Sequence, residues 1–237
     1  MDIRGSSALV TGAGRGIGKA VALALGRAGA AVTVVSRTAS EIEGVAAAIT
    51  AAGGRALAFP ADLTGPGSAE RSVEAAVSAH GGLQVLVNNA GVGAHGSVAE
   101  TSDETWDRVI GTNLTAVFRL TRAALPHLAR SGGHVFMVSS LAGSNPIAGM
   151  AAYCASKAAL DHFAACLMLE VRQQGVKVTT IAPGSVATSF GGAPRDDASW
   201  MLTPEDVART VLDLLAARDG AHLSRVEMRP ARPQKRV

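Results

Sequence analysis

Short runs rich in β-branched residues alternate with longer Ala- and Leu-rich segments along almost the whole chain. The runs at 7–11, 31–36, 56–60, 85–88, 134–139, 177–182 and 224–228 read as strands. The segments at 16–28, 39–52, 69–80, 153–173 and 203–217 read as helices, and 103–128 as one long helix or two in series. Strands joined through helices pair in parallel, and right-handed crossovers put those helices on both faces of one sheet. The pattern therefore predicts an α/β fold, a doubly wound parallel sheet of about seven strands. The runs Val-Leu-Val-Asn, Val-Phe-Met-Val-Ser and Val-Thr-Thr-Ile-Ala are almost uninterrupted apolar stretches, as strands covered on both faces must be. A closed eightfold barrel would need more such units.

With 237 residues and no linker or repeat of solenoid length, the chain is expected to form one domain over 1–237. Apolar residues make up 48% and charged residues 17%, which argues against disorder. Aromatics are only 3%, so the core must be built from Ala, Val, Leu and Ile. Cys154 and Cys166 stand twelve apart within one predicted helix, a spacing that suits neither a disulfide framework nor a metal site. No charged-then-apolar leader and no membrane-length apolar run is seen, so a cytoplasmic protein without membrane contact is expected. The net charge of +3 owes part to Arg225, Arg229, Arg232, Lys235 and Arg236 near the end of the chain. That cluster has no interleaved aromatics, so a solvated terminus is preferred to a nucleic-acid site.

Between the first strand and first helix stands Thr11-Gly12-Ala13-Gly14-Arg15-Gly16-Ile17-Gly18. Glycines serve where a backbone turns tightly and where a pyrophosphate must approach amides at a helix N-terminus. The spacing is T-G-x-x-x-G-x-G rather than G-x-G-x-x-G. Its place after the first strand of an alternating pattern gives it weight. At the end of the second strand, where a carboxylate would hold a free ribose 2′-hydroxyl, stand Ser36 and Arg37. With Arg15 in the glycine turn, two guanidinium groups and no carboxylate suit a 2′-phosphate, and therefore NADP. The plain alternative leaves both arginines merely solvated.

Tyr153 is the only tyrosine, and Lys157 follows it by four residues on the same face of a predicted helix. Reduction of a carbonyl by hydride needs a proton donor and a group that polarises the oxygen. A phenol of pKa about 10 is a poor acid–base group near neutrality. An ammonium and an oxidised nicotinamide beside it would favour tyrosinate and lower that pKa. Ser140, thirteen residues before Tyr153, ends a strand at the carboxyl edge of the sheet, where open α/β folds bind ligands. Ser139 is its bland neighbour. Asn113 falls in a helix interior, where Asn is disfavoured unless it has a special task.

Seven motifs follow one another in order: Thr11 to Gly18, Asp62 in Ala-Asp-Leu-Thr, Asn88-Asn89-Ala90-Gly91, Asn113, Ser139-Ser140, Tyr153-x-x-x-Lys157, and Pro183-Gly184-x-Val186-x-Thr188. On these the chain resembles the short-chain dehydrogenase/reductase family over nearly its whole length. The resemblance implies a Rossmann-like fold and an NADP-dependent oxidoreductase interconverting a carbonyl and an alcohol. It implies Asn113, Ser140, Tyr153 and Lys157 as the catalytic group, with Lys157 also on the nicotinamide ribose and Asn113 anchoring a proton-relay water chain. Cofactor contacts are implied for Gly12, Gly14, Arg15, Gly16, Ile17, Gly18, Ser36 and Arg37. They extend to Asp62 and Leu63 at the adenine, Asn89, Ala90 and Gly91 beneath the adenosine ribose, and Pro183, Gly184, Val186 and Thr188 at the carboxamide. Asp62 reads equally as a plain helix N-cap. Gln84 stands where many members carry Asp. The ending Ser-Arg-Val-Glu-Met-Arg-Pro replaces a Gly-rich tail, so a homodimer through the long helices is expected more firmly than a homotetramer.

No G-x-S-x-G elbow supports a serine hydrolase, and the six histidines lack metal-ligand spacing. A nucleotide-binding regulatory protein would be expected to have lost part of the Asn/Ser/Tyr/Lys group, which is intact here. A sugar-nucleotide epimerase would need a larger C-terminal region. The loops at 93–97, 141–152 and 185–202 are expected to shape the substrate site, the last as a short lid carrying Phe190, Gly191, Gly192, Pro194, Asp196, Asp197 and Trp200. Its shortness suggests a small ketone, aldehyde or 3-oxoacyl substrate. His95 lies either at the substrate mouth or simply in solvent, and Cys154 is expected to be a buried packing residue.

Overall fold

The computed structural model describes residues 2–190, 198–218 and 220–232. Seven strands, β1 (Ser7–Thr11), β2 (Ala31–Ser36), β3 (Arg55–Pro60), β4 (Val85–Asn88), β5 (His134–Val138), β6 (Lys177–Pro183) and β7 (Arg225–Met228), form one sheet. Its order is β3-β2-β1-β4-β5-β6-β7, and every pairing is parallel. This is the doubly wound sheet that the alternation predicts. Because side chains alternate across a strand, β1 sends Ala8 and Val10 to one face and Leu9 to the other. On the first face they meet α1 (Gly16–Arg27), α2 (Ala39–Ala51) and α7 (Pro204–Ala216). On the second lie α3 (Ser68–His80), α5 (Ala116–Ser131) and α6 (Ala151–Val171).

The strand order reverses between β1 and β4: from β1 the chain winds outward to β2 and β3, and from β4 to β5, β6 and β7. The crossover loops at this switch leave a crevice at the carboxyl edge. The register Ala8↔Val85 and Ala8↔Val32 sets the ends of β1, β2 and β4 beside one another there.

The long segment at 103–128 resolves into α4 (Asp103–Ile110), a π-helical turn at Gly111–Thr115 and α5. Helix α6 begins at Ala151, two residues before the sequence pattern places it, and β5 ends at Val138 rather than 139. Helix α7 is closed by a capping box in which the Thr203 side chain accepts the Asp206 N–H and the Asp206 carboxylate accepts the Thr203 N–H. Gln84 Oε1 accepts the Ser7 N–H at 2.7 Å and ties the starts of β1 and β4. No helix among the described residues is long and apolar enough to cross a membrane.

At the edge opposite the crevice, His134 is buried, with 4% exposure, and stacked on Phe136 at 4.1 Å between ring centres. Thr179 Oγ1 donates to the Leu223 carbonyl at 2.7 Å, so the His134 Nε2–H donates to Thr179 at 2.8 Å. Burial first, then the positive surroundings of His222 and Lys177, lower the imidazole pKa from 6.5 to about 3. The folded pKa lies below the unfolded one, so on acidification the unfolded chain takes a proton that the folded protein refuses. Stability is therefore lost as pH falls from 6.5 toward 3, by up to about 1.4 kcal/mol per pH unit for this one site. Denaturant midpoints at pH 7, 5 and 4 should fall less steeply in His134→Gln than in the parent; equal slopes would remove His134 from the account.

Candidate active site

At the head of the crevice, β1 turns into α1 through Gly12 and Gly16, whose φ angles of +61° and +53° suit glycine. A Cβ on Gly18 would fall on the Gly12 carbonyl oxygen and 2.5 Å from Asn89 Nδ2, so the turn folds back on itself with no spare room. Asn89 Nδ2 donates to the carbonyls of Thr11 and Gly12 at 2.9 and 3.2 Å. Thr11 Oγ1 accepts the N–H groups of Asn89 and Ala90 at 2.9 and 3.0 Å and donates to Val87 at 3.3 Å. Helix α1 opens at Arg15 with no side-chain cap and no acidic residue in its first turn. Its first amides therefore remain available to an anion.

At one end of the crevice Ser36 closes β2, with Arg37 and Thr38 beyond it and Arg15 nearby. Neither Arg15 nor Arg37 forms an ion pair within the described residues. Asp62 Oδ1 accepts the Thr64 hydroxyl at 2.7 Å and the Thr64 N–H at 3.0 Å. Those bonds, with a smaller contribution from Arg37, hold its carboxyl below the usual range against the effect of burial. Asp62 thus closes a local turn; the N-cap of α3 is Gly67, which rules out the plain helix-cap reading. Leu63 is buried beside it.

At the other end stand Ser140, Tyr153 and Lys157. Ser140 is extended and its hydroxyl accepts the Ala142 N–H at 3.1 Å, opening a 3₁₀ turn at Leu141–Gly143. Ser139 points away, its hydroxyl buried against the Lys157 carbonyl at 3.5 Å. The Tyr153 phenol is pushed above 10 by burial, while hydrogen bonding to Ser140 pulls it down. In the protein alone burial wins, contrary to the lowered value expected from the sequence, because the cofactor charge in that expectation is not part of the chain. Lys157 Nζ donates to the Val138 carbonyl at 2.9 Å and lies 5.8 Å from the Tyr153 ring centre. Complete burial lowers it from 10.5 to about 8, and Asp161 partly opposes the shift.

Asn113 explains its own unfavourable place in a helix. It lies in the π turn, where one extra residue per turn turns the carboxamide inward. Its Oδ1 accepts the Val92 N–H at 2.8 Å, and its Nδ2 donates to the Val92 carbonyl at 2.9 Å and to Ser156 at 3.0 Å. The loop after β4 is thereby clipped to the helix layer. After β6, Val186 bridges Leu202, and a Gly16 Cβ would lie 3.2 Å from the Thr188 methyl, so this segment closes over the glycine turn.

All the sequence-predicted site residues except Gly18 and Asn113 line one cleft of about 1210 Å³; those two sit directly beneath it. His95 is exposed and lines the mouth, so both readings of it hold. Cys154 is half-buried rather than buried. Residues 191–197 of the expected lid, and Lys235 and Arg236 of the basic tail, lie outside the described residues. Two wall residues escaped the sequence reading. Glu41, in the first turn of α2, lies against Gly14, its Oε2 2.5 Å from where a Cβ would stand. Phe190, read only as part of a lid, packs on Tyr153 with ring centres 5.6 Å apart and narrows the approach to the phenol. No local pattern marks Glu41, whose approach to Gly14 is a tertiary contact.

The family model for short chain dehydrogenases matches residues 6–198. The chain belongs to that family. A 3-oxoacyl-[acyl-carrier-protein] reductase of Vibrio cholerae is 34% identical over 94% of this chain and 95% of its own. The crystal structure of a metagenomic short-chain oxidoreductase in complex with NADP matches with a TM-score of 0.87 and 36% identity over 98% of this chain and 100% of that one. A 7α-hydroxysteroid dehydrogenase complexed with NADH and 7-oxo glycochenodeoxycholic acid matches with a TM-score of 0.88 and 26% identity, over 96% and 94%. As a short-chain dehydrogenase this protein is an oxidoreductase whose fold binds a nicotinamide cofactor, and the uncapped helix behind a glycine cradle fits a pyrophosphate. In this short-chain dehydrogenase Gly18→Ala should cost about 1–3 kcal/mol through overpacking against Gly12 and Asn89. It should also weaken binding of the nicotinamide cofactor at least tenfold; calorimetric titration with NADPH and NADH beside a denaturation curve checks both.

Proposed function

We propose that the protein is an NADP(H)-dependent carbonyl reductase and alcohol dehydrogenase with Tyr153 as proton donor and acceptor. The observation that carries this reading is one cleft with two guanidinium groups at one end, unpaired among the described residues, and a buried phenol, faced by Ser140 and Lys157, at the other. Arg15 and Arg37 match the 2′-phosphate as forked donors, and Ser36 brings no opposing charge. Gly12, Gly14, Gly16, Ile17 and Gly18 receive the pyrophosphate, Asp62 and Leu63 the adenine, and Asn89, Ala90 and Gly91 the adenosine ribose. Pro183, Gly184, Val186 and Thr188 hold the carboxamide and fix the ring face.

NADP, when bound, supplies or accepts the hydride. Ser140 holds the substrate oxygen, and Tyr153 gives that oxygen its proton during reduction and takes it back during oxidation. Lys157 binds the nicotinamide ribose and places a positive charge beside the phenol, which favours the phenolate. Asn113 fixes the loop through Val92 and, with Lys157, anchors the water chain that replaces the proton. The substrate is a ketone, aldehyde or 3-oxoacyl group. We also propose a homodimer through the faces of α4, α5 and α6 that expose Trp106, Phe118 and Leu169.

A panel of ketones and aldehydes, followed by NADPH oxidation, should reveal turnover that falls by about 10²–10⁴ in Tyr153→Phe. Full activity in that variant would remove the phenol from the mechanism. Arg37→Asp should move the preference from NADPH toward NADH, and an unchanged ratio would sink the 2′-phosphate argument. Reduction needs both the phenol and Lys157 protonated, and the lysine pKa is the lower. Its kcat/KM should therefore stay level below pH 7 and decline as pH rises through about 8.

A further inference from the structure

Arg225, on β7, stands where three elements meet. Its Nη1 donates to Asp161 Oδ2 at 2.8 Å, and its Nη2 donates to Ser144 Oγ at 2.8 Å and to Glu227 Oε1 at 3.2 Å. Asp161 lies one helical turn beyond Lys157 on α6. Ser144 closes the 3₁₀ turn that Ser140 opens. Between them Gly143 lies flat on α6, where a Cβ would stand 2.7 Å from Asp161 Oδ2 and 3.1 Å from the Lys157 carbonyl. The turn is thus held at both ends, by the Ser140 hydroxyl on the Ala142 N–H and by Arg225 on Ser144.

This is not an ordinary surface ion pair. The Asp161 side chain is only 13% exposed, and its Oδ1 is buried with no hydrogen-bond partner among the described residues. A carboxylate so placed depends on Arg225 for compensation. Helix α6 carries Asp161 and Tyr153 on one rigid rod, while the turn carries Ser140. The guanidinium is the polar link between the rod and the far end of the turn.

We propose that Arg225 is a positioning residue: through Asp161 and Ser144 it fixes the turn bearing Ser140 against the helix bearing Tyr153, and so sets where the Ser140 hydroxyl meets the phenol. The proposal rests on the Ser140/Tyr153 reading given above. Nothing in it requires Arg225 to touch substrate or cofactor, because the clamp acts from behind the turn.

The test is a double-mutant cycle of Arg225→Met and Ser140→Ala, with Arg225→Lys as the conservative variant and Ser144→Ala cutting only the turn side of the clamp. Two quantities are read: the steady-state constants for carbonyl reduction, with carbonyl and NADPH each varied while the other is saturating, and the phenol midpoint from absorbance near 295 nm. Tyr153 is the only tyrosine, so the second signal belongs to it alone. Arg225→Met should lower kcat about tenfold with the KM for NADPH unchanged, and Arg225→Lys should recover part of the loss. In the Ser140→Ala background the Arg225 substitution should change kcat by less than about twofold, because nothing is left to position. Ser140 lowers the phenol pKa, so Ser140→Ala and Arg225→Met should each raise the midpoint, and the double variant should go no higher than Ser140→Ala. Should Arg225→Met fail to fold, Ser144→Ala takes its place in the same cycle. Additive losses in kcat and additive midpoint shifts would overturn the proposal. A protein that reduces no carbonyl would defeat the functional reading instead, and the titration cycle would still decide the role of Arg225.

Discussion

The Thr11 hydroxyl, at the end of the first strand, accepts two consecutive backbone N–H groups from the end of the fourth and donates to a third residue there. Buried N–H groups without partners cost about 1–3 kcal/mol each, so this one oxygen relieves two such penalties where the strand order reverses. The glycine turn, the Asn89–Gly91 strip and the crevice between them all take their positions from it. A valine there would match the shape and leave both amides orphaned.

Much of this was legible in the chain. Strand runs such as Val-Leu-Val-Asn and Val-Phe-Met-Val-Ser are apolar throughout because both faces of the sheet are covered, and the structure pairs them in parallel as expected. The glycine turn was readable because its residue types are dictated by sterics. Three things were not readable. The break at Gly111–Thr115 leaves the apolar periodicity of its flanks intact, so no local signal separates one long helix from two. Glu41 belongs to the cleft only because α2 crosses the end of β2, a tertiary fact. The bonds of Arg225 to Asp161 and Ser144 span 64 and 81 residues of chain, beyond the reach of any periodic pattern.

The electrostatics of the two central groups follow from enclosure. The same burial that pushes the phenol up from 10 pushes the ammonium down from 10.5 to about 8, so two proton affinities that start close together are driven apart. In the protein alone the lysine is therefore the first of the two to lose its proton as pH rises. Ser140 and Asp161 act in the reverse sense on each member, keeping the phenol from becoming inert and the lysine from becoming neutral.

The π turn at Gly111–Thr115 also has a consequence for the phase of the helix layer. Each residue of a regular helix advances about 100° around its axis, so one extra residue in a turn offsets α4 from α5 by roughly that angle. The apolar stripe of α5, which seats Leu120, Ala124 and Leu128 on the sheet, is therefore not continued by α4 on the same side. Removing one residue from Gly111–Thr115 would realign the two stripes into a single straight rod. Asn113 would then turn out of the interior and the Val92 backbone would lose the carboxamide that matches it. The irregularity is a phase correction that lets one helical segment face the sheet and its neighbour face the ligand cleft.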